Sequence, residues 1–499
     1  MIGISFNQKE FEYDAYTLLK AFFPKEEVQM FYVQEEEVPA DLEYLISIEY
    51  GEQVHIRIQW GDTLLEGQET YEQTEDRKIR KNKLKQVLYK LLSQLTGQTL
   101  PWGNLTGIRP TKIAMGLIES GMSNAQAAEY MRNTYFTSKE KTALAITIAN
   151  RERELLKDID YEKGYSLYVG IPFCPSICLY CSFSSSPLQR WKDQVDAYLD
   201  ALLKELDFIS EAMKDRTLDT IYIGGGTPTT LEPEQLERLL EHINARFPVY
   251  QVKEYTVEAG RPDSITREKL QAIRKFPVTR ISVNPQTMNQ ATLELIGRRH
   301  TVEDTRHAFA LARECGFDNI NMDIIVGLPG EQKEDVQHTL EEIKKLDPDS
   351  LTVHSLAVKR AARLNMFKEQ YEEMEFINNQ EIMDMAMKYA YECQMGPYYL
   401  YRQKNMCGNL ENIGYAKVDK AGIYNILIME EKQSIVAVGA GASTKAVFSA
   451  AEDQLKNGQP GKEVKLEKRI ERVENVKDVG QYIARIDEMI ERKGELLWH

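Results

Sequence analysis

Three of the six cysteines fall within eight residues, at Cys174, Cys178 and Cys181 in the stretch PFCPSICLYCSF. The other three, Cys315, Cys393 and Cys407, are scattered and read as structural. The clustered spacing is C-x3-C-x2-C. Close thiolates hold metal centres. Structural zinc usually takes four protein ligands, often in CxxC pairs, and no second pair or Cys/His knuckle follows here. A [4Fe–4S] cluster has four iron sites. Three cysteines would leave one iron open to a small-molecule ligand. A zinc-stabilised scaffold is the alternative from outside redox chemistry.

The elements that must position these thiols are short apolar runs alternating with amphipathic segments. The runs are SLYVGI (166–171), TIYIGG (220–225), EYTVEA (254–259), RISVNP (280–285), NMDIIVG (321–327) and SLTVHSL (350–356). Helix-like stretches such as TVEDTRHAFALARECG lie between them. Six strand–helix units in a row predict a parallel sheet covered by helices. An open six-stranded barrel and a doubly wound sheet both fit that periodicity. In either, ligands bind at the strand ends where the cysteine loop begins.

The flanks differ from this core. Residues 1–160 read as an α+β region. MIGISF forms a strand, YLISIEYGEQVHIRIQW a hairpin, and Thr74 to Leu95 a basic helix. After about Asn365 a long helical segment is expected to Tyr391, then strands in PYYLYRQ, IYNILIM and SIVAVGAGASTKAVF, then a closing amphipathic helix. The expected domains are 1–160, 161–365 and 366–499. A net charge of −15 spread along 499 residues argues against coating nucleic acid. No long uncharged apolar run predicts a membrane span. The start, MIGISFNQKEFEYD, does not read as a signal peptide, and six cysteines are too few for a disulfide framework. The expected compartment is the cytoplasm.

The cysteine spacing resembles that of the radical S-adenosylmethionine (SAM) enzymes, and GGGTPT (224–229) after the second strand extends the likeness. Over about residues 165–358 the order of motifs resembles the oxygen-independent coproporphyrinogen III oxidase-like family. The motifs are YVGIPFC, CLYC, GGGTP, VEAG, RISVNPQT, LIGRRH and MDIIVGLPGE. The segments KRAARLN and YYLYRQKNMCGNLENIGY are most similar to its HemZ-type branch, which shares the N-terminal extension. The resemblance implies an α/β fold: a partial (β/α)6 radical SAM barrel with an N-terminal α+β domain and a C-terminal α+β elaboration. It implies that Cys174, Cys178 and Cys181 hold a [4Fe–4S] cluster. It also implies that Tyr168, Tyr180, Gly225, Gly226, Thr227, Glu258, Gln286, Arg298 and Asp323 form the SAM site.

The implied activity is oxidative decarboxylation of two propionates of coproporphyrinogen III to vinyl groups, giving protoporphyrinogen IX in heme biosynthesis. One electron from the reduced cluster would cleave SAM, and the resulting radical would take a propionate β-hydrogen. A small electron-donor protein such as flavodoxin or ferredoxin is the implied partner. The substrate carboxylates need cations, and the candidates are Arg360, Arg363, Arg402, Lys404 and Lys445. Within the family the alternatives are a heme-binding chaperone and a radical enzyme that opens or alkylates heme. The chain departs from the family pattern in three places. Gly170 stands where His usually precedes Ile-Pro-Phe-Cys, Ser182 and Phe183 follow Cys181 without a fourth cysteine, and Lys404-Asn405 replaces the chaperone's His-Asn.

Overall fold

The computed structural model describes residues 1–497 except 34, 36–38, 40–41, 73, 108, 184, 358–361, 367–373, 403–405, 407–408 and 449–468. The chain divides into two compact units.

The first unit comprises Met1–Asn150 with Leu400–Asn405. Its sheet contains β1 (Ile2–Phe6), β2 (Val28–Tyr32), β3 (Tyr44–Tyr50), β4 (Gln53–Trp60) and β5 (Thr63–Thr70), in the order β2-β1-β3-β4-β5. β1 pairs parallel with β2 and β3, while β3-β4-β5 is an antiparallel meander. Period-two alternation puts Ile46, Ile48, Val54, Ile56 and Ile58 into one core. Two helices complete it, α1 (Glu12–Phe22) through Leu18 and Leu19, and α2 (Arg77–Thr96) through Leu84, Leu88 and Leu92. α2 begins where the Asp76 carboxylate accepts from Ile79 N and ends at Gly97, whose φ of 68° suits the C-cap. Three helices follow: α3 (Pro110–Glu119), α4 (Asn124–Tyr135) and α5 (Lys139–Leu155).

The second unit comprises Arg151–Tyr399 and Met406–His499. β6 (Gly164–Ile171), β7 (Thr217–Gly225), β8 (Glu254–Glu258), β9 (Arg280–Ser282), β10 (Ile320–Val326) and β11 (Ser350–Ser355) lie side by side and parallel. The intervening helices are α6 (Val195–Ala212), α7 (Pro233–Arg246), α8 (Arg267–Arg274), α9 (Gln290–Leu295), α10 (Val302–Glu314) and α11 (Lys333–Leu346). One set of alternate strand residues is wholly apolar and buried: Leu167 and Val169, Ile221 and Ile223, Tyr255 and Val257, Met322 and Ile324. The opposite set is polar, with Tyr168, Tyr222, Glu258, Arg280, Asp323 and His354. Glu258 on β8 interacts with groups on β7, β10 and β11, so the polar face is concave. This is the partial six-stranded barrel.

The C-terminal segment extends both edges of the barrel sheet. β12 (Gly396–Tyr401) and β13 (Asn412–Ala416) lie beyond β11, and β13 is antiparallel to it. On the other side β14 (Ser434–Val438) runs parallel to β6, followed by β15 (Ser443–Phe448) and β16 (Arg469–Glu474). Among the described residues the sheet therefore has 11 strands in the order β12-β13-β11-β10-β9-β8-β7-β6-β14-β15-β16.

Two expectations for this segment are corrected. Among the described residues no single helix runs from Asn365 to Tyr391, because 374–379 are not helical. A short α12 (Arg363–Met366) is separate from α13 (Gln380–Glu392), and the latter starts where the Asn379 side chain accepts from Ile382 N. IYNILIM is a helix, α14 (Ile423–Glu430), not a strand. A seven-residue apolar run does not distinguish a buried strand from a buried helix. Here the Glu254 carboxylate decides, because it accepts from the first two helical amides, those of Ile423 and Tyr424. Two helices close the chain, α15 (Val479–Ala484) and α16 (Ile486–Leu497).

Candidate active site

β6 delivers the chain to the cysteine loop, and the glycine turn at the end of β7 presses against it. Gly226 N donates to Ile171 O and Thr227 N to Phe173 O, each at 2.7 Å. Two glycines are required by space. Gly225 has φ of 112°, and a Cβ on Gly226 would stand 2.5 Å from Phe173 O. The turn also brings the Thr227 hydroxyl to 3.6 Å from Cys174 Sγ.

All three clustered thiols are free, and Cys174 and Cys178 are buried. Burial pushes the Cys174 thiol up to about 11, against the pull of Thr227, and raises Cys181 as well. Thiols in such surroundings become thiolates when a metal centre binds them. The compensating charge lies behind Cys178. Arg261 Nη1 reaches Cys178 Sγ at 3.6 Å and donates to Ser176 O and Oγ at 3.0 Å. Asp263 clamps the other edge of the same guanidinium at 3.0 and 2.7 Å. Arg298 donates to Asn284 O at 2.5 Å and to the Tyr180 hydroxyl at 3.2 Å, and also reaches Cys178. His300, fully buried between these arginines and Asp263, is pushed down to about 4 by desolvation and by the Arg298 charge.

The concave wall carries the remaining candidates. The Tyr222 hydroxyl donates to Glu258. Burial pushes the Glu258 carboxyl up to about 7, and the Tyr222 bond and the Gly225 amide restrain the rise. Asp323 moves the other way. Burial works to raise it, but the bonds and charge of His354 and the Asn321 amide hold it below the usual range. His354 Nε2 stands 3.8 Å from Asp323. Gln286 has a left-handed φ of 70°, strained for a side chain of its size, and its N–H donates to Asp323 O. Its buried Oε1 has no protein partner, nor do Asn284 Oδ1 and Ser282 Oγ on the same stretch. Buried polar atoms need partners, and three orphans on one wall mark a surface made for a polar ligand. Tyr168 lies alongside, its ring 6.2 Å from that of Tyr222.

The structure thus brings Cys174, Cys178, Cys181, Tyr180, Gly225, Gly226, Thr227 and Arg298 around one loop. Tyr168, Glu258, Gln286 and Asp323 line the wall beside it. The cation candidates are dispersed. Arg360 and Lys404 lie outside the described residues. Arg363 is exposed at the start of α12, next to Leu364, whose N–H donates to Leu179 O in the cysteine loop. Lys445 pairs with Glu431 at 2.8 Å. Arg402 belongs to the first unit, where it is buried against Trp102 and donates to Leu105 O at 2.6 Å. Sequence reasoning missed Arg261, Tyr222, His354 and Tyr424. The polar positions of TIYIGG and SLTVHSL, read as the inner face, would have found Tyr222 and His354.

The donor set fits a [4Fe–4S] cluster with a polar co-ligand. Cations reach Cys178 from Arg261 and Arg298, which suits buried thiolates carrying the charge of a metal centre, and the orphaned Gln286, Asn284 and Ser282 oxygens lie beside them. A four-iron cluster spreads three thiolates over three metals.

Comparison with known proteins agrees. The radical SAM superfamily profile matches residues 168–343. The chain is 44% identical over 371 residues to the oxygen-independent coproporphyrinogen-III oxidase-like protein HemZ of Bacillus subtilis, spanning 74% of each chain. It is 40% identical over 195 residues to the heme chaperone HemW of the same organism, covering 39% of this chain and 51% of that one. It is 34% identical over 199 residues to the oxygen-independent coproporphyrinogen III oxidase of Escherichia coli, covering 39% and 42%. The solved structure of the E. coli coproporphyrinogen III oxidase HemN, described as a radical SAM enzyme, aligns with a TM-score of 0.50 at 21% identity over 68% and 73% of the two chains, a likeness of fold. Fold, cysteine loop and profile together define a radical SAM protein, a class that uses a [4Fe–4S] cluster and SAM. Within that superfamily the chain belongs to the oxygen-independent coproporphyrinogen III oxidase-like family. Among the described residues no helix is long and apolar enough to cross a membrane.

Proposed function

We propose that this chain catalyses the oxygen-independent decarboxylation of two propionates of coproporphyrinogen III, giving protoporphyrinogen IX. The observation that carries the chemistry is the free three-thiol loop set against a wall of buried polar atoms without protein partners. The tetrapyrrole is supported by the 44% identity to the coproporphyrinogen oxidase-like HemZ.

In this reading Cys174, Cys178 and Cys181 would hold the cluster and leave one iron open to SAM. When bound, cluster and SAM supply a one-electron reductive cleavage that yields a hydrogen-abstracting carbon radical. The protein's own part is positioning and exclusion of water. Gly225 and Gly226 let backbone approach the methionyl end of SAM. Gln286, Asn284 and Ser282 supply partners for its polar groups. Glu258 and Asp323 orient it from opposite protonation tendencies, the one lifted and the other held down. Tyr168 gives a flat face, while Tyr180 and Arg298 brace the loop. Arg363 at the α12 edge, with Arg360 as a further candidate, would meet propionates. A small reduced protein such as flavodoxin or ferredoxin would supply the electrons.

A second reading, heme binding without decarboxylation, is favoured by the 40% identity to the heme chaperone HemW over 195 residues. One experiment separates the two. Anaerobically reconstituted protein is incubated with SAM, a reductant and coproporphyrinogen III, and the tetrapyrrole is analysed by mass. Loss of two carbon dioxide molecules and four hydrogens per tetrapyrrole supports the proposal. Unaltered coproporphyrinogen together with a stable heme-bound spectrum supports the second reading.

A further inference from the structure

We infer that Arg261 sets the reduction potential of the iron–sulfur centre through its hydrogen bond to Cys178. The inference rests on the cluster ligation proposed above.

Arg261 follows β8 in the sequence EAGRPDS and is 3% exposed. Its guanidinium is pinned on both edges. One edge meets Ser176 O, Ser176 Oγ and Cys178 Sγ, and the other meets both oxygens of Asp263. A planar fork held at five points cannot swing away, so its donor faces the sulfur permanently. Cys174 and Cys178 thereby have unlike neighbours. Cys174 has the neutral Thr227 hydroxyl. Cys178 has the Arg261 cation and also interacts with Arg298.

Reduction adds one electron to the cluster and increases the negative charge on its thiolates. A buried N–H donor carrying positive charge stabilises the reduced state more than the oxidised one. Arg261 therefore raises the potential, and Asp263, as its counter-charge, lowers it. The two residues act in opposite directions although they form one pair. Arg261 is thus a positioning residue that acts through Cys178.

The test is a redox titration of the anaerobically reconstituted full-length protein, following the spin signal of the reduced cluster, with iron and sulfide measured in each variant. Arg261→Gln should favour the oxidised state at least tenfold, a shift of about 59 mV to more negative potential for one electron. Arg261→Lys, which keeps charge but loses the fork, should shift less in the same direction. Asp263→Asn should shift the opposite way, because Ser176 still anchors the guanidinium. Arg267→Gln, which removes an exposed cation paired with Glu314, should shift nothing. Unmoved potentials, or Arg261 and Asp263 variants shifting the same way, overturn the inference, since loosening of the loop alone has no reason to change sign. If Arg261→Gln fails to assemble a cluster, Arg261→Lys and Asp263→Asn decide by the same signs. Cys178→Ala keeps the two claims apart. A full cluster in that variant overturns the ligation itself, whereas its loss beside unmoved arginine variants overturns only the inference.

Discussion

The ring of Tyr424 stacks on that of Tyr222, with centroids 4.4 Å apart and planes inclined by 20°. Tyr424 comes from α14, whose first amides are held by Glu254, and Tyr222 in turn donates to Glu258. A C-terminal helix thus props a barrel strand that props a candidate SAM carboxylate. Tyr222→Phe removes a hydrogen bond to a carboxylate, worth about 1.5–3 kcal/mol. We expect roughly tenfold or greater weakening of SAM binding by calorimetry, with iron content unchanged. Tyr424→Leu should produce a smaller loss of the same kind. Unchanged affinity in both would make the stack mere packing.

The cysteines separate by role. Alanine at Cys174, Cys178 or Cys181 should abolish the broad cluster absorbance and SAM cleavage while the far-ultraviolet spectrum stays native. Alanine at Cys315 or Cys393, both partly exposed and distant in sequence from the loop, should leave both intact. Native-rate cleavage by Cys178→Ala would show the ligand assignment to be wrong.

Glu258 gives a pH prediction. Its carboxyl is lifted from an ordinary 4.5 to about 7, first by burial. The folded chain therefore holds this proton more tightly than the unfolded chain. The stability it contributes is fully present below about 4.5 and is lost as pH rises through about 7. Glu258→Gln cannot ionise and removes that slope. In urea titrations of SAM-free protein, the variant should gain on the parent between these values by no more than about 3 kcal/mol. Parallel curves would mean that the site stays well hydrated.

The C-terminal helix is anchored by a fully buried pair, Lys493 with Glu205. Asn475, Tyr482 and the Gly439 amide also bind that carboxylate. Lys493→Met leaves Glu205 buried without a cation, at a cost of about 3–5 kcal/mol. Adding Glu205→Gln should recover much of this in chemical denaturation. Equal destabilisation by the single and double variants would show that packing, not charge, dominates there.

What could be read in advance was local. Cys174, Cys178 and Cys181 share one loop, and GGGTP one turn, so their spacing alone signals a site. The six strands were legible because each βα unit repeats its own periodicity. α14 was misread because a short apolar run fits a strand or a helix, and the Glu254 carboxylate that caps its first amides lies 169 residues away. Arg261 escaped notice for the same reason. Nothing near RPDS marks it, and its meaning comes from Cys178, 83 residues earlier. Tyr222, Asn284 and His354 gain significance only once parallel strands set them on one concave face. The propionate contacts stayed open because Arg402 and Lys445 have protein partners, while Arg360 and Lys404 lie outside the described residues.

The measurement closest to the central claim is label transfer. Coproporphyrinogen III carrying deuterium at the propionate β-carbons is turned over anaerobically with SAM and reductant, and the 5′-deoxyadenosine is analysed by mass. The account predicts that deuterium appears in the deoxyadenosine as protoporphyrinogen IX forms, and that none appears with the Cys178→Ala protein. Deoxyadenosine formed without label, while the tetrapyrrole keeps all its carboxylates, would contradict it.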